Sequence, residues 1–150
     1  MIRFQGDIRG GPRFAGVVME TSFAILLTDR NRHVRELLRR ELSAEGYRVE
    51  TARDAREVLG FLYHVAAIDL LILDPEIPYV AEVGLLRRLG QLRPELPVII
   101  HCFSLEDVGT LASIHSAAFL EKNENTDRLK AMVREILAQT RPERFDIGPP

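Results

Sequence analysis

Cysteine is nearly absent from this chain. Cys102 is the single one among 150 residues, which excludes an internal disulfide and fits a reducing compartment. Long apolar runs are missing too: none approaches the roughly twenty residues that a membrane span needs. The N-terminus lacks the basic-then-apolar order of a secretory signal, so the expected location is the cytoplasm, with no membrane partner. Charge of either sign is not in excess, since 20 Lys and Arg against 22 Asp and Glu leave a formal net charge of −2. That balance gives no electrostatic ground for expecting nucleic acid. Glycine is missing where a dinucleotide enzyme would need it: Thr28-Asp29-Arg30-Asn31 follows the first apolar run without one. His33, His64 and His115 fall on separate segments with no metal-ligand spacing and are read as surface or packing residues.

Hydrophobic residues at 46% and charged residues at 28% are ordinary for a soluble globular protein. A chain of 150 residues suits one domain with short extensions. Residues 1–22 carry Gly6, Gly10, Gly11, Pro12 and Gly16, with Arg3, Arg9 and Arg13 between them, and hold no sustained period. They are expected to be a flexible N-terminal extension. Residues 23–140 are read as the domain, residues 141–150 as a C-terminal tail, and no second domain is expected.

Between the extensions, two periods alternate. Apolar or alternating runs predict strands over 23–28, 47–51, 69–73, 97–101 and 117–120. Helical spacing predicts helices over 32–45, 54–64, 81–92, 104–113 and 125–139. Gly46 should end the first helix, and Ser104 should cap the fourth with Asp107 reciprocating. His101 and Cys102 are strand neighbours and so point to opposite faces, which rules them out as a base and nucleophile pair. Arg32, Arg35, Arg39 and Arg40 read as a solvated helix face. Strands alternating with helices imply an α/β domain, a parallel sheet covered on both faces.

Chemistry collects at the carboxyl ends of the apolar runs. Asp29 follows Ala24-Ile25-Leu26-Leu27-Thr28, Asp74 follows Leu70-Leu71-Ile72-Leu73, and Lys122 lies just past Ala117-Ala118-Phe119-Leu120. Together with the stretch Ile25 to Val49, Asp69-Leu-Leu-Ile-Leu-Asp-Pro-Glu-Ile-Pro78, Pro97-Val-Ile-Ile100 and Phe119-Leu-Glu-Lys122, this layout resembles the receiver domain of bacterial two-component response regulators. The resemblance runs from about Phe23 to Gln139. It implies a flavodoxin-like, doubly wound five-stranded parallel sheet of order 2-1-3-4-5. It places the phosphoacceptor at Asp74, one acid of a magnesium pair at Asp29, and a backbone carbonyl ligand at Glu76. In such a site Asp74 would attack a phosphoryl donor in line while the ion neutralises charge on the transferring group.

Several positions depart from the family pattern. Arg30 stands where the second acid is expected, so Asp29 and Asp74 face Arg30 and Lys122 and the local charge sums to zero. Useful magnesium affinity at Asp29 and Asp74 is expected to be weak or lost. Arg30 can form a bidentate pair with Asp74 or Asp29, or swing out to solvent. Cys102 replaces a Ser or Thr that would bond the phosphoryl group, and a thiol is a poor donor. Phe103 replaces a small residue and should crowd a phosphoryl group. Asn123 replaces a proline, so the following loop is expected to run trans, with Lys122 displaced. Phe119 matches the aromatic switch position.

The expectation is a stand-alone, non-enzymatic receiver acting through protein contacts. Its partners would be a histidine kinase, another signalling protein, or a second copy docked through the fourth and fifth predicted helices and the fifth strand. One alternative is a working phosphoacceptor using Asp29, Asp74 and Lys122 with weakly held magnesium. Another, of a different class, is a flavodoxin-like small-ligand binder or enzyme.

Overall fold

Side-chain parity along the strands explains the layering. The computed structural model describes residues 13–14, 17–18, 22–107 and 117–145. Strands β1 (Ala24–Thr28), β2 (Arg48–Ala52), β3 (Leu70–Leu73), β4 (Val98–Cys102) and β5 (Ala117–Glu121) form one parallel sheet in the order β2-β1-β3-β4-β5. Helices α1 (Arg32–Ala44), α2 (Ala55–His64), α3 (Leu85–Leu92) and α4 (Asp127–Thr140) alternate with them. Ile25, Leu27, Leu70, Ile72, Ile99 and Leu120 pack against Leu38 and Leu42 of α1 and Leu129, Val133 and Leu137 of α4. Leu26, Leu71, Leu73, Val98, Ile100 and Cys102 pack on the other face against α2 and α3. Because both faces of each inner strand are covered, β1 over 24–27, β3 over Leu70–Leu73 and β4 over 98–100 read as apolar runs. Each fully buried leucine or isoleucine contributes about 1.5–3 kcal/mol relative to exposure.

Local chemistry sets most helix ends where the sequence expects them. Asn31 caps α1, its side chain accepting from the His33 and Val34 amides at 2.8 and 3.2 Å. Gly46, at φ 101°, closes that helix by donating its amide hydrogen bond to Ser43 O. Asp54 caps α2 by accepting from the Glu57 amide at 2.9 Å.

Two helices differ from expectation. The third starts at Leu85 rather than at residue 81, because Gly84 takes φ 63° and breaks any helix running through it. Of the predicted helix over 104–113, Leu105–Asp107 is a 3₁₀ turn, with Ser104 Oγ accepting from the Glu106 amide at 3.2 Å. The rest of that prediction, the Asp107 side chain and His115 lie outside the described residues.

The predicted extensions also gain detail. Most of 1–22 lies outside the described residues, but Arg13–Phe14 pairs antiparallel with Val17–Val18. The predicted tail begins with a turn of helix, α5 (Pro142–Phe145), and is tied back to the domain. Arg144 Nη1 donates to Asp69 Oδ1 at 3.0 Å and its Nη2 to Ser22 O at 2.7 Å, with the guanidinium 4.1 Å above the Phe23 ring. Residues 146–150 lie outside the described set. Among the described residues, no helix is long and apolar enough to cross a membrane.

Candidate functional site

Parity that builds the core also gathers the site. Ile25 and Leu27, Leu70 and Ile72, and Leu120 all face the α1 and α4 layer. The next residues of the same parity, Asp29, Asp74 and Lys122, leave the sheet together beyond its carboxyl edge. Asp29 and Asp74 are buried, at 0% and 1% exposure. Lys122 Nζ lies 2.9 Å from Asp29 Oδ2 and 3.1 Å from Asp74 Oδ2. The bond to Asp74 is aligned, whereas Asp29 Oδ2 has the ion-pair contact without hydrogen-bond geometry.

The remaining carboxylate oxygens are also engaged. Asp29 Oδ1 accepts from the Asn31 amide at 2.8 Å, and Asp74 Oδ1 from the Glu76 amide at 2.9 Å. Asp74 Oδ2 takes a second bond from the Arg30 amide at 3.2 Å. Lys122 is not displaced: its peptide bond to Asn123 is trans, and its own amide donates to Cys102 O at 2.6 Å.

Arg30 neither forks onto an aspartate nor swings free. Its Nη1 closes on Glu76 Oε1 at 2.6 Å, while Nε stays 3.8 Å from Asp74 Oδ2. The physical reason is placement. Arg30 has the opposite parity to Asp29 and sits at the pocket mouth, and the turn held by Asp74 Oδ1 presents the Glu76 carboxylate there first. The Phe103 ring lies over the same mouth, 5.5 Å from the Arg30 guanidinium and 4.7 Å from Lys122 Nζ. It is 63% exposed.

Asp29, Arg30, Asp74, Glu76, Phe103 and Lys122 are thus brought together, and two predicted site residues are not. Cys102 points into the α2 and α3 core and donates its thiol to Ser104 O at 3.4 Å. Burial pushes that thiol above its ordinary range. Phe119 is half-buried and packs against the same core.

Other residues serve the site without having been singled out. Thr28 Oγ1 accepts from the Asp74 amide at 2.8 Å and donates to Ile72 O at 3.1 Å, fixing the strand that carries Asp74. A hydroxyl inside an apolar run was the available signal. Arg35, grouped with a solvated face, instead donates from Nη1 to Asp29 O at 2.7 Å. His101 is buried beneath the site, with no hydrogen-bond partner for Nδ1 among the described residues. Burial first, and then Lys122, pushes its pKa down to about 4, against the opposing pull of Asp29 and Asp74.

Comparison with known proteins agrees with this geometry. The family model for the response regulator receiver domain matches residues 25–134. Response regulator MprA of Mycobacterium tuberculosis is 33% identical over 124 residues, covering 81% of this chain and 54% of MprA. MprA of Mycobacterium avium is 33% identical over 121 residues, covering 79% of this chain and 53% of that protein. The chain therefore spans about half the length of the curated relatives it matches. Among solved structures, response regulator TrrA from Thermotoga maritima, in complex with Mg²⁺-BeF, superposes with a TM-score of 0.68 at 28% identity, covering 77% of this chain and 99% of TrrA. A CheY-like receiver domain protein from Methanospirillum hungatei gives 0.70 at 27% identity, covering 81% and 98%. With its sheet order, its strand-tip acids and its lysine, the chain belongs to the response regulator receiver-domain family of two-component signalling.

Proposed function

We propose that this receiver works through protein contacts from a pocket balanced by its own cations, with magnesium bound weakly or not at all and phosphorylation at Asp74 impaired. One observation carries the reading: Lys122 Nζ spans both buried aspartates while Arg30 takes the mouth between Asp74 and Glu76. As arranged, the donors do not fit a magnesium ion. All four carboxylate oxygens of Asp29 and Asp74 already face a cation or an amide. The ion demands near-octahedral oxygen ligation and gives up water reluctantly. It would have to dislodge Lys122 while sitting beside a guanidinium. A receiver domain with these properties would take its meaning from a histidine kinase, another signalling protein or a second copy in the cytoplasm.

The undisplaced lysine supports a second reading, a working phosphoacceptor with weakly held magnesium. Lys122 reaches Asp74 directly, so one cation able to meet a transferred phosphoryl group is in place. Incubating the full chain with a small phosphodonor, with and without magnesium, and weighing the intact protein separates the two. Little mass added at Asp74 in either condition is expected. Stoichiometric, magnesium-dependent phosphorylation that an Asp74→Asn variant abolishes would overturn the proposal in favour of the second reading.

A further inference from the structure

The loop that follows Asp74 holds a backbone strain that nothing in the acid pocket requires. Tyr79 takes φ 72°, a left-handed conformation that a bulky residue keeps only when its surroundings hold it there. Three contacts do so. Ile77 is buried in the core, Pro78 O accepts from the Ala55 amide at the first residue of α2 at 2.9 Å, and the Arg56 guanidinium lies 4.0 Å above the Tyr79 ring. At its near end the same loop is bound to the pocket twice, through the Glu76 amide on Asp74 Oδ1 and the Glu76 carboxylate on Arg30.

On the β4 and β5 side, Phe103 and Lys122 contact the pocket, but the two side chains expected to lead out of it are turned away. The Cys102 thiol is turned to Ser104 O and the half-buried Phe119 ring packs against the α2 and α3 core. Among the described residues, neither side chain has a hydrogen bond or ion pair to Asp74, Arg30 or Glu76.

From this asymmetry we propose that a change of charge at Asp74 is relayed through residues 75–84 to the start of α2, with the Arg30–Glu76 pair as the latch. New negative charge on Asp74 competes with Glu76 for the guanidinium already 3.8 Å from Asp74 Oδ2. Drawing Arg30 inward frees Glu76, and the loop can then relax the Tyr79 turn and loosen the hydrogen bond from the Ala55 amide to Pro78 O. A latch between two partly exposed side chains is weak enough to open, and the strained turn gives the loop somewhere to go. The proposal rests on reading Asp74 as the input position, but its test does not pass through phosphorylation.

Hydrogen exchange on the full chain reads the latch directly. Glu76→Gln removes the ion pair and should raise exchange about two- to fivefold across the amides of residues 76–84 and at Ala55 and Arg56, the range set by losing one such pair. Residues 98–107 and 117–121 should keep their wild-type rates. Arg56→Ala should reproduce that pattern without touching the pocket. A Glu76→Gln response confined to residues 98–121, or no response while Arg56→Ala alone loosens the loop, would overturn the relay. Stoichiometric phosphorylation of Asp74 would count against the proposed function and leave this result standing.

Discussion

Arg30 is the position at which the charge argument can be tested most sharply. Its Nε lies 3.8 Å from Asp74 Oδ2, so an ion coordinated by Asp74 would sit roughly 5 Å from the guanidinium. Repulsion between unit and double positive charges at that separation is about 7 kcal/mol at an effective dielectric of 20 and about 2 kcal/mol in bulk water. The Arg30 side chain is 40% exposed, so a screened value near ~3 kcal/mol is the reasonable expectation. Removing the charge in Arg30→Ala should therefore tighten magnesium binding about a hundredfold. Arg30→Asp, which adds a carboxylate where the family resemblance leads one to expect it, should tighten it further. Both variants keep the backbone amide that donates to Asp74 Oδ2. The chain has no tryptophan, so calorimetry is the assay, run at two ionic strengths because the gain should shrink with salt. Affinities of both variants within about threefold of wild type would refute the reasoning, leaving Lys122 or the engaged amides as the barrier to the ion.

Two further outcomes follow from the buried polar groups. His101 is neutral when folded, with its pKa lowered from 6.5 to about 4. Its stabilisation is therefore complete above pH 6.5 and is lost as pH falls toward 4, by at most about 3 kcal/mol. His101→Gln should flatten that part of the curve in urea titrations at pH 7 and 4.5, and an unchanged slope would assign the acid sensitivity to other groups. Arg144→Ala removes the bonds to Asp69 and Ser22 O and should cost about 1–2 kcal/mol, because Asp69 is buried with only the Ala24 amide and Arg141 left to it. An unfolding free energy from urea titration within a few tenths of a kcal/mol of wild type would make that clasp an ordinary surface pair.

Much of the fold was legible because two periods carry it. Leu70-Leu71-Ile72-Leu73 is apolar at every position since helices cover both faces, and Leu38 and Leu42 recur at helical spacing since α1 covers one. What the periods cannot carry is conformation at single residues. Nothing in Ala81-Glu82-Val83-Gly84 announces that Gly84 is left-handed and delays α3, since the same residues could continue a helix at modest cost. Likewise Arg141 and Arg144 looked like tail residues because their partner, Asp69, is remote in sequence.

The site divides along the same line. Asp29, Asp74 and Lys122 were legible as a set because each continues the parity of its strand, so sheet geometry brings them together. Arg30 lies outside that parity, and its partner was decided by a turn. Asp74 Oδ1 holds the Glu76 amide, which swings the Glu76 carboxylate to the mouth and intercepts the guanidinium before it can fork onto Asp74. The consequence is energetic. Two buried carboxylates without a dication would repel one another, but here Lys122 lies within 3.1 Å of both. Arg30 and Glu76 neutralise each other at the rim. On the proposed reading the folded pocket is already satisfied without an ion, so whatever switches it must first break a contact the chain makes with itself.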